Sequence, residues 1–389
     1  MFGICVLPSS LPTTSKDPGI TNEIVCGLIE SMQIKSVRVW MHLPYVLQRA
    51  PTSNTLSFKR DIVEDYHAYF SALASAGVEN ILVMNHQYLY PVEAGPITYN
   101  GVIPDPDSQT REYVAFLELF RDCYAMLAEE FPEVDLWEPN NEPDHPSGTT
   151  IVKNGFVQGG GSANTPYLYS LEEVARITAD QCYYANLGIK SADPANKLVM
   201  PGLVFGYDRD TYFIEMLYEQ IESGALPTRT GEGRNGALRA DIDPDHYFDV
   251  LNWHPYANVA PGDAWLQENI AMYRIAAAHG DGDKPLFLSE FGWSDEFDTS
   301  LQENIADWYP EAFDLLRENL PTLESVFCFR MFNWTTAGSG VKPREKSFGL
   351  FTSPAEAGGI LPKPAAIALF RYFNGKDADI SVLYRYRAA

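Results

Sequence analysis

The stretch L-W-E-P-N-N-E-P-D, residues 136–144, sets Glu138 and Glu142 four positions apart, each followed by proline, around Asn140 and Asn141. Two prolines disfavour a helix, and the Leu-Trp start reads as a strand arriving at a surface. Working outward, V-D-L-W-E from Val134 is the fourth of eight short apolar runs. The others are F-G-I-C-V-L from Phe2, S-V-R-V-W-M from Ser36, N-I-L-V-M-N from Asn80 and K-L-V-M-P-G from Lys197, then F-D-V-L-N-W from Phe248, P-L-F-L-S-E from Pro285 and S-V-F-C-F-R-M-F from Ser325. Residues 21–32, 60–76, 111–130, 171–187, 211–221, 264–279, 301–320 and 364–373 carry apolar side chains at helical spacing with charges between. Strands buried on both faces and each followed by a helix predict an α/β fold: a single (β/α)8 TIM barrel over residues 1–389. A doubly wound open sheet is the competitor, and it lacks a G-x-G-x-x-G after the first strand. Long polar stretches at 86–110 and 144–170 are expected as loops after strands three and four, on the face where barrel enzymes work. A third, 224–238, belongs to the opposite face. The Gly-rich run from Asn154 has no following G-K-[ST] and reads as a flexible loop or lid, not a phosphate cradle.

The net charge of −24 arises from 52 acidic against 28 basic residues, a sign that repels nucleic-acid phosphates and anionic membranes. No segment approaches the roughly 20 apolar residues of a membrane span. Five widely spaced cysteines without a C-x-x-C pair read as free thiols, which makes the expected compartment cytoplasmic, or secreted where a signal peptide has been removed. No motif speaks to oligomeric state.

A barrel collects the residues at its strand ends in one pocket. Strand two offers Arg38, strand three Asn85 and His86, strand four Asn141 and Glu142, strand six His254 and Tyr256, strand seven Glu290, and strand eight Asn333 and Trp334. Strands one and five offer little. Two glutamates on opposite walls of a small barrel suit the roughly 5 to 5.5 Å spacing of a retaining glycosidase. Arg38 and Tyr256 are expected to hold Glu290 ionised as nucleophile. Glu142, its backbone stiffened by Pro143, is expected as acid and then base, while Asn141 donates to the sugar 2-hydroxyl. Glu138 is read as a surface-loop carboxylate. With no H-x-H, H-E-x-x-H or Cys/His cluster and no lysine at a strand end, neither a metal nor a cofactor is expected.

The order W-E-P-N-N-E-P, H-P-Y, L-F-L-S-E-F-G-W and F-N-W resembles clan A of the glycoside hydrolases, spanning nearly the whole chain. Arg38, His86, Asn141, Glu142, His254, Tyr256, Glu290 and Trp334 look like the pattern of family 5, and family 39 is also similar at strand four. Pro139-Asn140 departs from the apolar or aromatic pair usual at that point. The resemblance implies a carbohydrate substrate, a sugar-subsite floor at Trp334, histidines binding hydroxyls and a tyrosine holding the nucleophile. A carbohydrate-binding barrel without turnover stays open beside it, as does endo against exo action.

Overall fold

A computed structural model describes residues 1–6, 19–50, 55–85, 111–144, 171–204, 210–223, 243–257, 262–335, 342–356 and 358–386. The chain opens with β1 (Phe2–Val6), α1 (Asn22–Met32) and β2 (Ser36–Trp40). Thr21 starts α1 by accepting from the Ile24 N–H at 3.3 Å, and Gln33 ends it in a left-handed turn at φ 56°. Next come α2 (Leu43–Val46) and an antiparallel hairpin, β3 (Leu47–Arg49) with β4 (Leu56–Phe58), elements too short for periodicity to reveal. Alternation then resumes with α3 (Arg60–Ser75), β5 (Asn80–Asn85), α4 (Arg111–Glu130), β6 (Leu136–Pro139) and α5 (Leu171–Ala192).

Helix α5 extends five residues past the expected end at 187. Gly188 interrupts the apolar pattern there, yet α4 packs directly against it: a Cβ at Gly188 would lie 2.4 Å from the Arg121 carbonyl oxygen. The remaining elements are β7 (Lys197–Leu198), β8 (Leu203–Val204), α6 (Asp210–Glu222), β9 (Leu251–His254), α7 (Asp263–Ala278), β10 (Leu286–Phe291), α8 (Gln302–Asn319), β11 (Leu323–Cys328), α9 (Pro343–Lys346) and α10 (Pro364–Asn374).

Among the described residues nine strands form one parallel sheet in the order β7-β6-β5-β2-β1-β11-β10-β9-β8. The run from Lys197, expected as one strand, is split around Pro201, which has no N–H to give: β7 bonds β6, and β8 bonds β9. Between them the Val199 N–H donates to the Trp137 carbonyl at 2.8 Å, and the Met200 N–H to the Val250 carbonyl at 2.8 Å. Residues 197–204 therefore bond both ends of the strand order, and the sheet curls on itself.

Alternation along the strands separates two cores. Val37 and Val39 of β2 join the large cluster between sheet and helices, with Leu28, Phe70, Leu117 and Ile189. A small second cluster fills the inside of the curl: Cys5, Leu82, Leu136, Val199, Val250, Phe287 and Phe327. The first strand is bonded to the last, Gly3 lying opposite Phe327 and Ile4 opposite Cys328. All five cysteines are free thiols, and burial raises each of them, Cys26 to about 11. Among the described residues no helix is long and apolar enough to cross a membrane. His86 and the loops at 86–110, 145–170 and 224–238 lie outside the described residues, as does the Gly-rich run.

Candidate active site

Directly above the inner apolar cluster the strands turn polar, and Arg38 is the hub. Its guanidinium is wholly buried yet donates along three edges. Nε reaches Glu138 Oε2 at 2.6 Å and Nη2 reaches Glu138 Oε1 at 2.9 Å; Nη2 also reaches Asn141 Oδ1 at 2.7 Å, and Nη1 reaches Glu290 Oε1 at 2.5 Å. Burial pulls the guanidinium's pKa down, but the charges of Glu138 and Glu290 outweigh that and hold it well above the usual arginine range. Since Asn141 gives its oxygen to Arg38, its amide nitrogen is the group left to donate elsewhere.

Glu290 owes its position to a departure from strand alternation. Phe287 and Ser289 face inward, so strict alternation would send Glu290 outward. A register shift between Leu288 and Phe291 lets both neighbours reach the interior. The hydroxyl of Tyr256 donates to Glu290 Oε2, so both carboxylate oxygens are fixed. Burial raises the Tyr256 phenol well above its ordinary value, and the charges of Glu290 and Glu142 push it further the same way, so it stays a donor.

Glu142 sits at φ 46°, a left-handed conformation that costs a non-glycine residue roughly 1–2 kcal/mol. Asn140, two positions earlier, is also left-handed at φ 98°. Hydrogen bonds hold this shape: the Glu142 N–H donates to the Gly202 carbonyl at 2.9 Å, and the Asn140 N–H to the Asn85 carbonyl at 2.7 Å. The Glu142 carboxylate meets His254 Nδ1 at 3.0 Å, while His254 Nε2 meets Ser289 Oγ at 2.9 Å. His254 is fully buried with both ring nitrogens engaged, which places it behind Glu142. One oxygen each of Glu142 and Glu290 and a ring nitrogen of His254 lie within 4.8 Å of one another.

Those three are also the described residues grouped as a metal ion would require. Their partners argue for other chemistry: both Glu290 oxygens already accept from Arg38 and Tyr256, and a buried cation stands beside them. Trp334 is half-buried on the segment after β11, its ring 5.2 Å from the Arg330 guanidinium and its backbone N–H donating to the Lys346 carbonyl at 2.7 Å. The structure thus brings Arg38, Asn141, Glu142, His254, Tyr256 and Glu290 into one connected network. Trp334 stands apart from these, beside Arg330 and Lys346 on the segment after β11, and His86 lies outside the described residues.

The surface-loop reading of Glu138 is wrong. The side chain is 0% exposed, and besides the Arg38 fork it accepts from the Gly202 N–H at 3.0 Å and from Asn252 Nδ2 at 3.2 Å. Period two contained the signal: Leu136 packs inside the curl, so Glu138 faces the same way. Val250 likewise implies Asn252. Gly202 overturns the view that the fifth strand position contributes little. Its N–H binds Glu138 and its carbonyl holds Glu142, and a Cβ there would lie 2.0 Å from His254 Nε2. Gly202→Ala is expected to destabilise the fold by about 1–3 kcal/mol through overpacking, read as a lower urea midpoint at unchanged slope. An unchanged midpoint would mean that the ring is not confined there.

No protein-family model and no curated protein matches the chain. Solved structures do. A family 39 glycoside hydrolase from the gut symbiont Bacteroides cellulosilyticus WH2 is 15% identical at TM-score 0.55, covering 95% of this chain and 62% of that one. A β-glucosidase from Thermotoga maritima, in complex with deoxynojirimycin, is 13% identical at TM-score 0.61, covering 97% and 98%. An exo-β-1,4-mannosidase from Opitutaceae bacterium strain TAV5 is 13% identical at TM-score 0.59, covering 98% of this chain and 60% of that one. The chain therefore spans about three fifths of two of these proteins and nearly all of the third. At such identities the likeness is one of fold.

Proposed function

We propose that this chain is a glycoside hydrolase, a retaining β-glycosidase built as a single (β/α)8 barrel domain, with residues 197–204 as the fifth of eight strand positions. The observation that carries the reading is the approach of Glu142 and Glu290 oxygens to within 4.8 Å. Carboxyl groups about 5–5.5 Å apart leave no room for a water between sugar and base, whereas inversion needs roughly 6.5–9.5 Å. The β-linkage is taken from the names of the structural neighbours, a β-glucosidase and an exo-β-mannosidase.

Glu290 is the nucleophile. Its carboxylate attacks the anomeric carbon as the glycosidic C–O bond breaks, and Glu142 gives its proton to the departing oxygen. A water then attacks the same carbon, Glu142 takes that water's proton, and the ester bond to Glu290 breaks. Arg38 and Tyr256 orient the nucleophile, and His254 orients Glu142. Asn141, its oxygen held by Arg38, turns its amide toward the 2-hydroxyl. Trp334 and His86 complete the sugar site in this reading.

A panel of aryl β-glycosides (glucoside, xyloside, galactoside, mannoside, glucuronide, fucoside) followed by proton NMR tests it. The expected first product is the β-anomer of one sugar. An α-anomer appearing first would overturn retention, and binding of oligosaccharides without turnover on any member or on polysaccharides would favour a lectin-like barrel.

A further inference from the structure

Arg38 is placed for a purpose that one carboxylate partner does not serve. A fully buried guanidinium facing Glu290 alone would be balanced only while Glu290 is charged. In the double displacement proposed above, on which this inference rests, Glu290 becomes a neutral ester halfway through. A buried cation that loses its counter-charge is costly. Glu138 removes that difficulty: it takes the Nε and Nη2 edge of the guanidinium at 2.6 and 2.9 Å and leaves Nη1 for Glu290.

We infer that Glu138 is a positioning residue that keeps Arg38 paired through the covalent intermediate and so stabilises the glycosyl-enzyme. It touches neither sugar nor reacting atoms. Its carboxylate is locked from the far side by the Gly202 N–H at 3.0 Å and Asn252 Nδ2 at 3.2 Å, so it does not follow the substrate. It also limits Arg38 to a single edge of Glu290. Two carboxylates sharing one guanidinium carry a net negative charge, and Glu290 keeps the electron density that attack requires.

The test is burst kinetics of the full chain on the 2,4-dinitrophenyl glycoside of whichever sugar it hydrolyses. Dinitrophenolate leaves without protonation, so the burst reports attack by Glu290 and the steady state reports release from the ester. In Glu138→Gln the rate constant for attack is expected to fall roughly a hundredfold, from the burst or, once the burst is lost, from the steady state, while release, read separately from reactivation of the 2-deoxy-2-fluoro glycosyl-enzyme, holds or rises, because the neutralised intermediate is the destabilised species. A loss confined to burst amplitude, or equal losses in both constants, would assign Glu138 to scaffold alone. Should Glu138→Gln not fold, Glu138→Asp keeps the charge one methylene shorter. Its burst constant is expected within about tenfold of wild type, and a larger fall in a folded Glu138→Asp overturns the inference. Intact mass with a 2-deoxy-2-fluoro glycoside separates the two claims. If wild type gains no covalent sugar, the double displacement itself is wrong; if it does and the variant shows no split, only the role of Glu138 is.

Discussion

Glu290→Ala is expected to lose turnover by roughly four decades or more on every aryl glycoside, and sodium azide to restore part of it. The loss is large because Glu290 is held at both oxygens, by Arg38 at 2.5 Å and by Tyr256, and no other described carboxylate stands in line to replace it. Glu142, its oxygen within 4.8 Å, is the proposed acid on the other side of the scissile bond, and Glu138 is locked under Arg38. Alanine leaves a void beside a cation, which suits a small anion. Azide entering there attacks from the nucleophile's face, so the product is the inverted α-glycosyl azide. Hydrolysis retained at wild-type rate, or a β-azide, would remove Glu290 from the mechanism.

Arg38→Met is expected to destabilise the protein by about 3–5 kcal/mol, the usual cost of breaking a buried ion pair from one side. Two carboxylates then face each other inside the curl: Glu138 is 0% exposed and Glu290 4%. Neither reaches solvent to recover its hydration. Arg38→Lys is expected to recover only part, since one ammonium does not reproduce a fork that bonds Glu138, Asn141 and Glu290 together. Chemical denaturation at neutral pH reads both. A Met variant within about 1 kcal/mol of wild type would show that the site rearranges or admits water.

The sequence carried the alternation of strands and helices and the polar residues where strands end, because buried strands and amphipathic helices impose periods that a single chain displays. The links between those residues were less legible. Glu138 went unread because acidic loops are common in a chain of net charge −24, although the inward-facing Leu136 two residues earlier fixes its direction. Gly202 carries no functional group, and its part depends on backbone atoms meeting Glu138 and Glu142 across strands. Glu290 was picked out for its apolar neighbours, yet its inward aim comes from a register shift that no periodicity announces.

The pairing of β1 with both β2 and β11 fixes when this site comes into existence during synthesis. Arg38 and Glu290 are 252 positions apart, and β1 keeps an open flank until Val326, Phe327 and Cys328 have left the ribosome. At about 5–20 residues per second that interval is on the order of tens of seconds, during which an apolar strand edge is exposed as a template for the wrong neighbour. Yield in a heterologous host is therefore expected to respond to chaperone supply and translation rate, and chains stopped short of β11 are expected in the pellet.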